Sequence, residues 1–371
     1  MSTPHVIIVG GGIVGCACAH AMAQVGWRIT LIEQDTIGSG ATAAGMGQIV
    51  ALDDSPAELA LTADSQRRWH ALVQSAPHIH EYTPCGTIWV ASDADEMTLA
   101  ASKIPTYHGA GLHAELLDHA ALYHHEPNLR PGLPGGLRIG GDAVVYPSRS
   151  AAWLWQSAQR ATATTFIRAS VVAVHEAAVT LNDGRHLSAD AMVIATGAVA
   201  RELLPELPIR AKKGHLAITE RYPGFIHHQV AELGYVKNAH LADVDTVSCN
   251  VQPRATGQLL IGSCRQFDIA HSAIDHAMLQ RMLARCLAFL PGLAHMRTIR
   301  TWTGIRAATP DGQPLIGPHP WRAGIYVATG HEGLGITTSL STGMLISAHL
   351  AHTTPSIDPT PYLPARCVVP V

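Results

Sequence analysis

The hydrophobic and polar positions of this chain fall into blocks that are typical of a mixed α/β protein. Residues 6–9 are all apolar, which predicts a strand buried on both faces. An Ala-rich helical segment runs to Gln24, Gly26 is placed to end it, and residues 29–32 form a second apolar run. This order predicts a parallel strand–helix–strand unit at the start of the chain.

The later pattern alternates between two kinds of region. Helical periodicity and end signals predict helices at 56–76, 94–108, 118–125, 148–162, 274–290 and 336–350. Strand-like runs lie at 86–91, 165–174, 179–181, 191–197, 214–220, 229–236, 246–252, 258–263 and 324–328. The turn Asn182-Asp183-Gly184 predicts a hairpin. We found no internal repeat.

These elements predict an α/β fold class with an α+β second domain. A Rossmann-like domain is expected from the discontinuous segments 1–50, 140–204 and 300–371. A substrate domain with a mainly antiparallel sheet is expected from 51–139 and 205–299.

The stretch after the first strand is a Gly-x-Gly-x-x-Gly turn formed by Gly10, Gly12 and Gly15. The first glycine permits a tight turn, the second lets the backbone approach a pyrophosphate, and the third lets helix and strand pack closely. Glu33 ends the second strand, where a carboxylate can accept hydrogen bonds from ribose hydroxyls. A strand before the turn, a helix after it and an acid at this distance together predict dinucleotide binding.

The segment 34–48 is rich in Gly, Ala, Ser and Thr. Small residues let a loop lie against a flat ligand, and backbone N–H groups and hydroxyls can bind phosphate. A flexible linker is the alternative, but the segment is Ala-rich and flanked by a strand and a helix. We therefore favour a ligand-binding loop.

The composition is that of a compact protein without an affinity for nucleic acid. The 371 residues are 47% hydrophobic and 14% charged, with a formal net charge of -3. The N-terminal run does not fit a signal peptide or membrane anchor, because no basic residue precedes it and it contains several glycines and Gln24. Later apolar segments are short, so no transmembrane span is expected. The few charges suggest that partner subunits cover part of the surface.

The cysteines and histidines give no sign of a metal site. The seven cysteines are scattered and form no C-x-x-C pair, which argues against a disulfide framework, an iron–sulfur cluster held by this chain, or zinc. The 23 histidines contain no H-E-x-x-H motif. Reduced thiols indicate a cytoplasmic protein.

Three motifs follow one another along the chain: the glycine turn with Glu33, then Ala195-Thr196-Gly197, and then Gly330-His331-Glu332-Gly333-Leu334-Gly335. Together they resemble the D-amino-acid oxidase/glycine oxidase/sarcosine oxidase superfamily of FAD enzymes over nearly the whole chain. Residues 43–55 and 330–367 most resemble the β subunits of hydroxy-D-proline dehydrogenases, to which subunits of hydrogen cyanide synthase and opine dehydrogenases are related.

The resemblance implies FAD as the cofactor. It places the pyrophosphate and ribose against the glycine turn and Glu33, and the flavin against residues from the loop and the third motif. The residues it assigns to the cofactor are Gly10, Gly12, Ile13, Gly15, Glu33, Gln34, Ala41, Thr42, Gly45, Met46, Gln48, Val171, Ala195, Thr196, Gly197, Gly333, Leu334, Gly335, Ile336 and Thr337. The subfamily pattern has His where Gln48 stands.

The resemblance also implies how the cofactor and the substrate are held. In the sarcosine oxidase branch a cysteine binds flavin covalently, and Gly304 occupies that position here, so FAD is expected to be non-covalent. Arg306 matches the arginine that binds the substrate carboxylate, with a structural salt bridge as the alternative. Tyr235 is a second candidate contact or a core tyrosine, and His331 is a candidate for tuning the flavin.

The implied reaction is oxidation of the Cα–N bond of a small amino or imino acid by hydride transfer to flavin N5. Three hypotheses are open. The chain is a D-amino-acid (hydroxy-D-proline-type) dehydrogenase subunit whose partners carry a second flavin or an iron–sulfur centre, an oxidase of glycine, sarcosine or a D-amino acid that uses oxygen, or a non-catalytic flavin-binding scaffold. No catalytic base stands out in the sequence.

Overall fold

The computed structural model of this chain describes residues 3–234 and 244–368. Its strands are β1 (His5–Val9), β2 (Arg28–Glu33), β3 (Gln48–Ile49), β4 (Thr87–Ala91), β5 (Ala114–Asp118), β6 (Gly135–Ile139), β7 (Ala143–Val144), β8 (Thr164–Arg168), β9 (Val171–Val174), β10 (Ala178–Leu181), β11 (His186–Ser188), β12 (Ala191–Ile194), β13 (Arg210–Arg221), β14 (Gln229–Glu232), β15 (Thr246–Pro253), β16 (Gln258–Phe267), β17 (Thr298–Ala308), β18 (Leu315–Pro318) and β19 (Ile325–Thr329). Its α-helices are α1 (Ile13–Gln24), α2 (Gly40–Ala43), α3 (Pro56–Val73), α4 (Ala94–Gly109), α5 (His119–His125), α6 (Pro147–Ala161), α7 (Ala200–Leu203), α8 (His276–Phe289) and α9 (Ser339–Ala351).

The first large sheet has six strands in the order β18-β19-β12-β1-β2-β8. All neighbouring pairs are parallel except β18 and β19. The apolar residues of β1 are buried, as the continuous apolar run predicts. Removing side chains such as Ile7 and Ile8 from water contributes about 1.5–3 kcal/mol each. The strands come from separate parts of the chain, which confirms the predicted α/β class and its discontinuous construction.

Helix α1 crosses this sheet and packs against α6 and α9. The contact with α9 is close: a Cβ atom on Gly343 would lie 2.5 Å from the carbonyl oxygen of Ala17. Small residues on both helices therefore set their separation, and they fix α9 beside the start of α1. No helix in the described ranges 3–234 and 244–368 has the length and apolar character needed to cross a membrane.

The second large sheet has eight strands in the order β17-β13-β16-β15-β14-β4-β6-β5. Every pair is antiparallel except β14 and β4. Helix α8 packs on β15 and β16, as expected for a helix with one apolar face. Strand β17 spans the predicted domain boundary at residue 300 and belongs to this sheet. The domain boundaries given above stay a prediction.

Two strand predictions need correction. The sequence pattern did not predict β17, because its alternate residues Gly304 and Arg306 line a cavity rather than an apolar core. The predicted strand at 165–174 is two strands in different sheets: β8 pairs with β2, and β9 pairs with β10. The hairpin between β10 and β11 is confirmed. The predicted strand at 229–236 is confirmed over β14, and its last two residues lie outside the described ranges.

Candidate active site

A cavity of about 1030 Å³ lies at the carboxyl ends of the parallel strands β1 and β12 and reaches one face of the eight-stranded sheet. Its volume is at the upper end of the range of small-molecule and cofactor sites. In open α/β sheets ligands bind at this edge. The two large sheets therefore enclose a site that is long enough to combine a cofactor with a substrate.

The glycine turn has the geometry that its sequence predicts. Gly10 has a φ of +105°, which L side chains rarely adopt, and a Cβ atom there would lie 2.5 Å from the carbonyl oxygen of Ala195. A Cβ atom on Gly15 would lie 1.9 Å from the carbonyl oxygen of Gly10, so this residue allows α1 to pack against β1. Gly12 caps α1 and lines the cavity. The N-terminus of α1 thereby points at the space where an anion would bind.

The Glu33 carboxylate fastens this turn to the end of β2. Its Oε2 accepts a hydrogen bond of 2.7 Å from the backbone N–H of Gly11, and its Oε1 accepts one of 2.9 Å from the backbone N–H of Asp35. Glu33 also lines the cavity. Its position therefore fits the predicted contact with a ribose.

The predicted ligand loop lies along the cavity. The Thr42 hydroxyl accepts a hydrogen bond of 2.9 Å from the N–H of Ile13, which ties the loop to the first turn of α1. The Gln48 amide donates to the Asn250 side chain at 3.3 Å, and the Gln48 carbonyl accepts from the Thr337 hydroxyl at 2.8 Å. These bonds hold the loop between the two sheets.

Most of the predicted cofactor residues meet in the cavity. Gly15 and Thr337 do not line it: Gly15 acts in packing, and Thr337 is buried and bonded to the loop. The others all do, namely Gly10, Gly12, Ile13, Glu33, Gln34, Ala41, Thr42, Gly45, Met46, Gln48, Val171, Ala195, Thr196, Gly197, Gly333, Leu334, Gly335 and Ile336. The predicted helix at 336–350 begins at Ser339, so a turn and not the helix itself contributes residues 333–336.

The far end of the cavity carries a cluster of three cations around one carboxylate. Lys212 on β13 pairs in register with Arg306 on β17, and Arg265 lies on the neighbouring strand β16. Glu332 Oε1 lies 3.3 Å from Lys212 Nζ and 3.6 Å from Arg265 Nε. The Glu332 Oε2 atom accepts a hydrogen bond of 2.7 Å from the N–H of Gly333.

The Glu332 carboxylate is ionised in this cluster. Burial opposes ionisation, but Arg265, Arg306 and Lys212 outweigh it and lower the pKa of Glu332 to about 2. Burial also lowers the pKa of Lys212. The carboxylate therefore compensates Lys212 and Arg265 most directly, because these two are in contact with it.

Arg306 keeps donors available for a ligand. Its Nη1 donates a hydrogen bond of 3.0 Å to the carbonyl oxygen of Cys264, and no carboxylate in the described parts of the chain lies within 4.0 Å of it. Gly214 makes room for the guanidinium, because a Cβ atom there would lie 2.9 Å from Arg306 Nη2. The fork can still offer two parallel N–H groups to a carboxylate.

His331 is buried beside the same cavity. One ring nitrogen, Nε2, lies 2.9 Å from the Thr342 hydroxyl, and burial lowers the pKa of His331 to about 4. The ring is therefore neutral near pH 7. Tyr235, the other candidate substrate contact, lies outside the described residues.

Several polar residues of the cavity were not predicted. Lys212, Glu332, Glu58 and Arg265 line it. Only the pairing of β13, β16 and β17 brings the cations together, and the unpredicted β17 left no signal for it. In the sequence, Glu332 was the one of these residues that a motif pointed to, because it lies beside His331 in the third motif.

Comparison with known proteins identifies the family. The sequence profile of DAO, the FAD-dependent oxidoreductases, matches residues 5–349. The chain belongs to this family. Glycine oxidase of Pseudomonas aeruginosa is 29% identical over 389 aligned residues, covering 97% of this chain and 98% of that protein. The hydrogen cyanide synthase subunit HcnC of the same organism is 24% identical, covering 98% of this chain and 96% of that protein.

The fold agrees with this assignment. The crystal structure of glycine oxidase from Geobacillus kaustophilus superposes with a TM-score of 0.86 at 25% identity, and the match covers 97% of this chain and 98% of that one. The predicted FAD cofactor and the predicted class, an FAD-dependent amino-acid oxidoreductase, are confirmed at that level.

The cavity of this DAO-family chain fits FAD on its own evidence. Gly10 and Gly12 of the turn line the cavity, and a Cβ atom on Gly12 would lie 3.2 Å from the Thr42 hydroxyl oxygen on the same wall. The Thr196 hydroxyl is buried at the cavity wall and has no hydrogen-bond partner in the described residues. An unsatisfied buried hydroxyl at this position fits an acceptor or donor supplied by the cofactor.

Proposed function

We propose that this chain oxidises the Cα–N bond of a small amino or imino acid, with Arg306 binding the substrate carboxylate. The available guanidinium in the cavity is the observation that carries the proposal. A carboxylate held by two parallel hydrogen bonds loses its freedom to rotate, so the Cα atom is placed in one position. The protein then contributes mainly orientation.

The other residues of the cavity shape its electrostatics. Glu332 is in contact with Lys212 and Arg265 and offsets one of their two positive charges, whereas Arg306 is the cation left for the substrate carboxylate. His331 is neutral and adds no charge. Bound FAD, held without a covalent bond, supplies the hydride acceptor at its N5 atom.

We further propose that the substrate is hydroxy-D-proline or another D-amino acid and that the chain is the catalytic subunit of a cytoplasmic dehydrogenase. Similarity to HcnC, a subunit of hydrogen cyanide synthase by its name, supports a subunit role. The partners would carry a second flavin or an iron–sulfur centre. The scattered cysteines of this chain offer no cluster of their own.

An oxidase of glycine, sarcosine or a D-amino acid is the second candidate. The 29% identity to glycine oxidase over nearly both full lengths favours it. An oxidase passes electrons to oxygen directly, whereas a dehydrogenase needs a dye, a quinone or its partner subunit. A non-catalytic scaffold is the third possibility, and it requires no function for Arg306.

One titration separates these candidates. Hydroxy-D-proline, D-proline, sarcosine and glycine are added in turn to the purified holoprotein without oxygen, and the visible flavin absorbance is followed. Bleaching by one of them identifies the substrate class. Rapid recolouring in air indicates an oxidase, and slow recolouring a dehydrogenase. A yellow protein that none of them bleaches would contradict the proposal and favour the scaffold.

Substitution of Arg306 tests the carboxylate contact. We expect Arg306→Ala to lower the rate constant of anaerobic reduction divided by Kd by about 10²-fold or more, because a desolvated charge-assisted pair is lost. Arg306→Lys should restore part of this loss, since it returns a charge but not the planar fork. Arg300→Ala, an exposed arginine on the same strand, is the matched control. Full activity in Arg306→Ala would refute the proposed contact.

A further inference from the structure

Glu58 lies in the first turn of α3 and lines the same cavity as Arg306. The start of this helix is fixed: the Ser55 hydroxyl accepts a hydrogen bond of 3.1 Å from the Glu58 N–H and one of 2.9 Å from the Gln313 side chain. Gln313 follows β17 in the chain. The backbone of Glu58 is therefore tied to the strand that carries Arg306.

The Glu58 carboxyl group is not used in the way its position suggests. Ser55 and Glu58 have the spacing of a capping box, in which the glutamate side chain bonds to the N–H of the N-cap residue. Here Ser55 caps the helix, but no hydrogen bond or ion pair reaches the Glu58 carboxyl within residues 3–234 and 244–368. A largely enclosed carboxyl group without a partner is a group available to a ligand.

The charged residues around Glu58 are mostly acidic and, where the structure gives their contacts, already paired. Asp53 accepts a hydrogen bond of 2.7 Å from Lys103 and one of 3.2 Å from the Tyr107 hydroxyl. Glu332 is compensated by Lys212 and Arg265, as described above. Asp54, which also lines the cavity, adds a further negative charge, and Arg265 favours an ionised Glu58.

We propose that Glu58 binds the nitrogen of the substrate and removes its extra proton. This inference rests on the proposed function, in which Arg306 binds the substrate carboxylate. A free amino acid enters as a zwitterion, and the cavity with Glu58 ionised offers a cation for its carboxylate and a carboxylate for its ammonium group. One N–H bond of the ammonium breaks and one O–H bond forms on Glu58. The substrate becomes a neutral amine with its lone pair free, and Glu58 becomes a neutral carboxylic acid.

The titration of Glu58 is suited to this role. Burial acts first, and Asp54, Glu332 and Asp53 add to it, while Arg265 opposes them; together they raise the pKa of Glu58 to about 8. An acceptor whose pKa lies near the working pH exchanges its proton most effectively. The pKa of Glu58 also lies close enough to the pKa of an amino acid ammonium group for a proton to pass from one to the other.

Equilibrium binding of propanoate tests the proposal without turnover. Propanoate has the carboxylate but no nitrogen, so it binds well only while Glu58 is protonated. For the wild-type holoprotein we expect its affinity, measured by calorimetry from about pH 6 to about pH 10, to fall by up to about tenfold per pH unit above pH 8. In Glu58→Gln this fall should be lost. Exposed Glu220→Gln should behave as wild type, and Lys212 titrates alike in all three proteins.

The rate of anaerobic reduction gives a second readout. With the best substrate, Glu58→Gln should lower the rate constant at about pH 7 by about tenfold or more. In a plot of this rate constant against pH, the rise should move to the pKa of the substrate ammonium group itself. Glu58→Asp should restore part of the rate because it returns a carboxylate.

The outcomes distinguish the two proposals. If propanoate binding requires Arg306 but has the same pH dependence in Glu58→Gln as in wild type, Glu58 does not bind the nitrogen and only this inference fails. If Glu58→Gln weakens only substrates with a second cationic group, Glu58 recognises a distal group and the inference is again wrong. If propanoate does not bind to wild type at all, the proposed function fails and this inference with it.

Discussion

At the residue scale, the chemistry of the cavity depends on how its buried charges are paired. Glu332 lies in contact with Lys212 and Arg265 and offsets part of their charge inside the protein. Arg306 is left with a backbone carbonyl as its bonded neighbour. A substrate carboxylate therefore meets one available guanidinium and not three competing cations.

Replacing Glu332 with Gln should lower the free energy of unfolding. Two buried cations would lose their counter-charge, and breaking a buried pair in this way costs about 3–5 kcal/mol. The folded-state pKa is depressed, so this contribution is present above the unfolded-state value of about 4.3 and is lost as the pH falls towards 2. In urea unfolding, the difference in stability between Glu332→Gln and wild type should therefore be larger near pH 7 than near pH 3. An equal difference at both pH values would contradict the assignment.

Individual residues were predictable only where a motif or a resemblance pointed to them. Gly10, Gly12 and Glu33 lie in the cavity that their spacing implied. Lys212 and Glu58 carry no such signal, because a single charged residue in a sequence is more often on the surface. Only the fold brings Glu332 and Arg265 close to both of them.

At the element scale, the register of β13 against β16 and β17 builds the substrate end of the cavity. The register sets Lys212 opposite Arg306 and Gly214 opposite Gly304. Glycine at both positions opens the face of the sheet: a Cβ atom on Gly304 would lie 2.8 Å from Ala44 Cβ. A shift by one residue would turn every one of these side chains to the other face.

Gly214→Ala should alter binding while leaving the fold intact. The added methyl group would meet the end of the flexible Arg306 side chain at 2.9 Å and the Cys264 carbonyl oxygen at 3.2 Å, so the guanidinium moves most and the strand shifts by a few tenths of an ångström. We expect the affinity for carboxylate ligands to fall by about tenfold with little change in the thermal midpoint. Gly109→Ala, where a methyl group meets nothing within 4 Å, is the control. An unchanged affinity would show that the guanidinium position is not critical.

Whole elements were easier to predict than their partners. Periodicity and end signals located α3, α4, α6 and α8: α6 and α8 are clearly amphipathic, and Ser55 and Asp93 mark the starts of α3 and α4. They did not locate β17, whose alternate positions face a polar cavity. The sequence pattern also predicted one strand where the structure has β8 and β9, because nothing in the local pattern shows that the chain leaves one sheet and enters another.

At the scale of the whole molecule, the buried histidines should make the protein sensitive to acid. Burial lowers the pKa of both His331 and His80 to about 4, and His78 contributes to the shift at His80. Both rings are neutral in the folded state. Their contribution to stability is present above the unfolded-state pKa of about 6.5 and is lost as the pH falls to about 4.

The unfolding free energy should therefore fall between about pH 6.5 and about pH 4, by up to about 1.4 kcal/mol per pH unit for each histidine. Chemical denaturation at several pH values measures this slope. His331→Gln should reduce the slope even where it lowers the stability itself, since one titrating group is removed. A slope that is the same in the variant would mean that His331 does not stay neutral in the folded protein.

The sequence by itself determined the FAD half of this protein. A buried strand, a glycine turn, a small-residue helix and an acid lie within thirty residues of one another, and local chemistry is enough to define their geometry. Only the tertiary structure decided the substrate half. Glu58, Lys212, Arg265, Arg306 and Glu332 come from distant segments, and the ionisation of Glu58 and Glu332 depends on burial and on the charges brought near them. Such quantities exist only once the two sheets have closed around the cavity.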